Sequence, residues 1–178
     1  MEMEAPILPH GVEESVADSG DTAANRAEFE LVIPEQVIRD ASVLEMGFTS
    51  SVAGAAMGLT RAIEEYRYDS AEGIMDVLLP NVVIYQAMKQ LGVATQEQYD
   101  SLRKLVDRDL RTVYRWQLPG GGWGWWEYGQ KDAWMTAYVV YGLLRAREAG
   151  LPVREDVLKR GIEATAASVP DEGDVGKR

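Results

Sequence analysis

Cysteine is absent from this 178-residue chain, histidine occurs once, at His10, and phenylalanine only twice. Without thiols there is no disulfide, no thiolate zinc site and no cysteine nucleophile, and one imidazole is too few for a histidine-based metal centre. The lack of cysteine does not decide the compartment. Long apolar runs are also missing: nowhere do about 18 apolar residues follow one another, the length a helix needs to cross a bilayer. The start, "MEMEAPILPHG", has neither the basic end nor the apolar core of a signal peptide, so an exported protein would carry its address upstream of Met1. Positive charge is scarce as well, with 18 Lys and Arg against 29 Asp and Glu and a net charge of −11. Phosphate backbones need a basic surface, so nucleic acid is excluded as a natural partner.

What is present is ordinary globular material, 46% hydrophobic and 26% charged. The acidity is uneven. Residues 1–40 hold ten Asp and Glu against Arg26 and Arg39, a net −8, which leaves −3 for the other 138 residues. Residues 1–49 read as a β-strand segment: "AEFELVI" (27–33) alternates apolar and polar residues up to Pro34, and "SVLEMGF" (42–48) forms a second, weaker run. Two strands alone make no stable sheet.

From Ser50 the period becomes helical. Val52, Ala55, Ala56, Leu59 and Ile63 share one face of a helix ending near Tyr66. A second helix from about Ala71 to Leu91 is apolar on nearly every side and so should be buried, with a kink expected at Pro80 and a stop at Gly92. Thr95 and Gln98 form a capping box for a third, which carries Leu102, Leu105, Val106, Leu110 and Val113 on one side. Asp132 can cap a fourth, "AWMTAYVVYGLLRA". Gly150 and Pro152 end it before a last amphipathic helix with Val153, Val157, Leu158 and Ile162. Gly92 superposes on Gly150 at an offset of 58 residues, each following a buried helix and preceding an amphipathic one. The repeat implies stacked helical hairpins over residues 50–178, and so few of them that a fragment of a larger stack is expected.

All five tryptophans fall between residues 116 and 134, around "GGGWGWW" (120–126). The glycines permit tight turns with positive φ, so that Trp123, Trp125 and Trp126, with Trp134 beyond, either pack at a hairpin junction or stand exposed as a ligand platform. Burying each ring would contribute roughly 2–3 kcal/mol. Packing is the expected role.

These residues carry a resemblance. "YRWQLPGGGWGWWEYGQKDAWMTAYVVYGLLRAREAG" (114–150) resembles the thioester-domain region of bacterial alpha-2-macroglobulin-like proteins. "YRYDSAEGIMDVLLPNVVIYQAMKQLGV" (66–93) is similar to that family's thioester helix, and "ILPHGVEE" with "ELVIP" to its preceding β segment. The resemblance implies a mainly α fold, a partial α/α toroid preceded by short strands. Its reactive bond joins a cysteine thiol to a glutamine three residues on, in a Tyr-Pro-Tyr-Gly-Cys-x-Glu-Gln pattern. Aligned on Tyr66 and Tyr68, this chain has Arg67, Asp69, Ser70, Ala71, Glu72 and Gly73, so Ser70, Glu72 and Gly73 occupy degenerate thioester positions and neither reacting group remains. Gly120 stands where the family often has an acidic residue.

The implied function is that of a non-enzymatic part of an endopeptidase inhibitor, a secreted or periplasmic protease trap without a thioester. Its implied partners are proteases and the other domains of its parent chain, with no cofactor and no metal. Two alternatives stay open: a carbohydrate-binding module using the tryptophans, and a toroid enzyme acting on carbohydrates or terpenoids. For the enzyme, "DRD" (107–109) is the nearest approach to an acid motif, although Arg103, Arg108 and Arg111 make a solvated face the expected reading. Glu64, Glu65 and Asp69 are likewise expected to be solvated.

Overall fold

The computed structural model describes residues 12, 14–20, 22, 26, 28, 30, 32–65 and 67–168. His10, Tyr66, residues 27, 29 and 31 of the first expected strand and the tail from 169 lie outside the described residues. The chain divides into two units, residues 1–46 and 47–178.

In the first unit, a turn closes with the Val37 amide on the Pro34 carbonyl at 3.3 Å, and a single 3-10 turn spans Arg39–Ala41. Among the described residues there is no strand. The second expected strand is instead exposed chain without a ladder, as Val43, Leu44 and Met46 in this unit and Phe48 in the other illustrate. Alternation prepares a face for a sheet, but a strand exists only when another strand takes its backbone hydrogen bonds.

The second unit holds five helices: α1 (Val52–Glu65), α2 (Ala71–Leu91), α3 (Gln96–Arg115), α4 (Ala133–Glu148) and α5 (Glu155–Ala166). The helices α2 and α3 form one hairpin, α4 and α5 a second, and α2 packs beside α4. Local chemistry sets their ends. Gly92 takes the left-handed conformation at φ 63° and donates to the Met88 carbonyl, while Gly150, at φ 82°, lets Leu151 reach back to Ala146. Thr95 and Gln98 exchange both bonds of the capping box, and the Asp132 carboxylate accepts from the Met135 amide at 2.8 Å. The helix α2 continues through Pro80.

The main core joins the two hairpins: Ile74, Met75, Leu78 and Val82 of α2 meet Val106, Leu110 and Val113 of α3, Met135, Val139 and Leu143 of α4, and Val157 and Leu158 of α5. A smaller cluster holds Ala53 of α1 against Met88 and Leu102. Here the stripe expected on α1 is corrected in part: Ala56 packs against this cluster and Ile63 is half-buried. Val52 and Leu59 are exposed, and the buried positions are Ala53 and Thr60. Ala53, with Ala56 and Met57, faces the cluster, while Val52 and Leu59 stay at the surface.

Candidate functional site

Ser70 begins the site. It is buried at the N-cap of α2, and its Oγ accepts from the Gly73 amide at 3.0 Å. Its hydroxyl is thus used as a helix cap. Glu72, in the first turn of α2, is exposed. Gly73 is buried against the chain that leads into the helix. A Cβ there would lie 2.5 Å from the Tyr68 carbonyl oxygen and 3.0 Å from the Tyr68 amide nitrogen, distances that backbone atoms do not tolerate.

The Gly-Trp loop meets this segment directly. The Ala71 amide, an orphan donor of the first turn, donates to the Trp125 carbonyl at 2.8 Å. The loop is itself tightly held. Gly121 has φ 83°, the Gly121 amide donates to Leu118, and the Leu118 amide donates to Gly122. Gly121 is the only one of the loop glycines 120, 121, 122 and 124 with positive φ. At Gly124 the requirement is close approach, since a Cβ would stand 2.2 Å from the Gln130 carbonyl oxygen. Gln117 anchors the loop to α5, its Nε2 donating to Gly121 and to Val157 at 2.9 and 2.8 Å.

The tryptophans divide by role. Trp123 is fully buried, and its indole N–H donates to the Val113 carbonyl at 2.8 Å, satisfying a group in the last turn of α3. The Thr136 hydroxyl accepts from its amide at 3.0 Å. Trp116 is also buried, but its indole N–H has no partner among the described residues. Trp125, Trp134 and Tyr138 form a stack, with centroids 5.7 and 5.2 Å apart and planes within 11° and 29°. Tyr138 donates to the Asp76 carboxylate at 3.1 Å, and burial, helped by that carboxylate, pushes its phenol up to about 12. Trp126 is exposed. Packing therefore accounts for Trp123, whereas Trp125, Trp126 and Trp134 keep surface open.

Two expected solvated carboxylates are corrected. Asp109 has no solvent exposure, and its Oδ1 accepts from Arg67 at 2.7 Å and from Arg108 at 3.0 Å, while Oδ2 has no partner among the described residues. Burial holds its pKa above the usual aspartate value, against the pull of the two guanidinium groups. Arg108 also bonds Glu64 at 2.6 Å, the leading cause of its raised pKa. Helix periodicity places Asp109 beside a charged face, and Arg67, from the segment before α2, reaches it in the fold. Asp109 has no surface open to solvent. Asp69, in the segment before α2, is exposed.

Among the described residues no group of three or more His, Cys, Asp or Glu is placed to hold a metal ion, and no helix is long and apolar enough to cross a membrane.

Stacked helical hairpins with a glycine-tryptophan loop closed over the start of a buried helix define a thioester-domain type of helical body. The family model of the A-macroglobulin TED domain matches residues 42–163, and the chain belongs to that family. It is 32% identical over 133 residues to an Alpha-2-macroglobulin of Thermotoga maritima, an alignment covering 75% of this chain and 8% of that protein. It is also 29% identical over 121 residues to the Alpha-2-macroglobulin of Escherichia coli strain K12, covering 66% of this chain and 7% of the relative. The crystal structure of native E. coli alpha-2-macroglobulin from domain MG7 to the C-terminus superposes with a TM-score of 0.50 at 28% identity, covering 61% of this chain and 17% of that one. The chain thus spans less than a tenth of the length of the curated relatives it matches.

Proposed function

We propose that this chain is a non-enzymatic body of an extracytoplasmic, alpha-2-macroglobulin-like protease trap that works without a thioester. The partners are then the trapped protease and the other domains of the parent chain, and α2–α5 belong to an α/α toroid. The observation that carries the reading is at Gly73: the residue aligned with the reactive glutamine has no room for a side chain beside Tyr68. Its would-be partner is a serine whose oxygen caps the same helix, in a chain without cysteine. A trap of this kind retains its target by enclosure and non-covalent contact. Its helical body transmits shape and makes no bond.

Methylamine, which opens internal thioesters, tests the proposal. Intact mass spectrometry of the treated chain should show no adduct, and one methylamine located at residue 73 would overturn it. The carbohydrate-binding alternative rests on the surface that Trp126, Trp134 and Trp125 leave open, although the meeting faces of Trp125 and Trp134 are covered by their own stack. An oligosaccharide titration that leaves tryptophan fluorescence unchanged removes it.

A further inference from the structure

Three buried polar residues lie on three different helices. Thr60 of α1, Asn81 of α2 and Asp109 of α3 are 1%, 0% and 0% exposed. Helix register puts them at one level. The smaller cluster joins Ala53, Met88 and Leu102, and the next turn of each helix packs against it through Ala56 and Met57, Ile84, and Leu105. Thr60 and Asp109 follow Ala53 and Leu102 by seven residues, and Asn81 precedes Met88 by seven, because α2 runs opposite to α1 and α3. Seven residues make two turns, about 10.5 Å along each axis, and return to nearly the same face. One turn beyond Thr60, Glu64 of α1 bonds Arg108 of α3 at 2.6 Å, which holds the two helices in this register. Two apolar layers are thus followed by a buried polar one.

The polar layer is short of partners. Neither Nδ2 nor Oδ1 of Asn81, nor Oδ2 of Asp109, has a partner among the described residues. The Thr60 hydroxyl donates to the Met57 carbonyl at 2.8 Å, which leaves its oxygen able to accept. Buried polar groups are matched by other polar groups or by water.

We infer that Thr60, Asn81 and Asp109 form a buried binding site for a water molecule that fixes α1 against the α2–α3 hairpin. The water accepts from Asn81 Nδ2 and donates to Asp109 Oδ2 and to Thr60 Oγ1, three bonds that span three helices. A cation is the wrong ligand, since Arg67 and Arg108 already hold Oδ1 of Asp109 at 2.7 and 3.0 Å. An anion would meet the carboxylate, and an apolar group would leave all three side chains unmatched. Because Arg67 bonds Asp109, the same layer holds the segment that leads to the Ser70 cap. The site stands whether or not the chain takes part in trapping proteases.

A crystal structure of the chain with ordered solvent is the first test, and should show one water about 2.7–3.2 Å from all three side chains. No water at that position, or a direct Asn81–Asp109 bond in its place, overturns the inference. Two variants test it in solution. Thr60→Ser keeps the hydroxyl and loses the methyl, whereas Thr60→Val keeps the methyl and loses the hydroxyl. In the native chain and in Thr60→Ser, the Asn81 side-chain amide protons should cross-relax with a long-lived water in paired laboratory-frame and rotating-frame NOE spectra. In Thr60→Val that signal should fall, and the amides of α1 should exchange roughly three- to tenfold faster relative to those of α5. A signal unchanged in Thr60→Val overturns the inference, as does a larger effect in Thr60→Ser, which would mark the methyl contact as what holds α1.

Discussion

The amide of Ala71, first residue of α2, donates to the carbonyl of Trp125 at 2.8 Å, joining two segments 54 positions apart. Through this bond the glycine-tryptophan loop holds the helix start that Ser70 caps. The loop's conformation and the Ser70 segment should consequently respond together.

Gly124→Ala tests that coupling. The added methyl would collide with the Gln130 backbone at 2.2 Å, which cannot rotate away, so the loop and the Trp125 carbonyl must move. A loss of roughly 2 kcal/mol or more is expected in urea unfolding. Amide exchange at Ala71 should speed up as well, and unchanged protection there would show that the bond does not depend on the loop.

Trp116 and Trp123 are equally buried but differ in what their indole N–H groups do. Trp123→Phe strands the Val113 carbonyl, whereas Trp116→Phe removes a donor that has no partner among the described residues. Each variant leaves a comparable void, so Trp123→Phe should be the more destabilising by about 1–2 kcal/mol. Urea midpoints at equal m-value give the comparison. Equal losses would mean that the Trp123 bond contributes nothing net.

Asp109 makes stability depend on pH in a particular direction. Its folded pKa lies above its ordinary value because burial outweighs the contacts from Arg67 and Arg108, both of which fall on one oxygen. The folded state therefore holds this proton more tightly than the unfolded state. The contribution is fully present below the ordinary aspartate pKa and is lost as pH rises through the folded value. Compared with Asp109→Asn, which cannot ionise, the native chain should lose relative stability between pH 4 and neutrality. A gap moving the other way would show that the arginines outweigh burial.

Restoring the two reacting side chains should not restore the bond. In Ser70→Cys/Gly73→Gln, the glutamine stem must displace the Tyr68 backbone, 2.5 Å from the new Cβ. One thiol reactive toward a thiol reagent and no methylamine incorporation are expected. Gly73→Ala alone should already cost about 2 kcal/mol, which separates the steric conflict from the chemistry. A masked thiol with methylamine incorporated at residue 73 would disprove the conflict.

The helices themselves were written locally. Capping residues and glycine stops act within a few positions of the bonds they form, so α2, the Thr95–Gln98 box and the Gly92 and Gly150 stops could be read from residue order. The resemblance likewise rested on residues in sequence. Burial was less legible. The apolar stripe of α1 named Val52 and Leu59, yet α1 is held by Ala53 and Thr60, because contact area depends on which neighbour arrives and how near it comes.

By itself the sequence determined that no thiol chemistry is available, where the helices begin and end, and that the Ser70 and Gly73 positions lack a thiol and a carboxamide. Only the tertiary structure decided that Tyr68 fills the space a side chain at residue 73 would need, that Asp109 is enclosed by Arg67 and Arg108, and that Trp123 is core while Trp126 is surface. The reason is range. Caps and turns are satisfied by groups a few residues away, whereas desolvation and steric exclusion are set by atoms that the fold brings from distant parts of the chain.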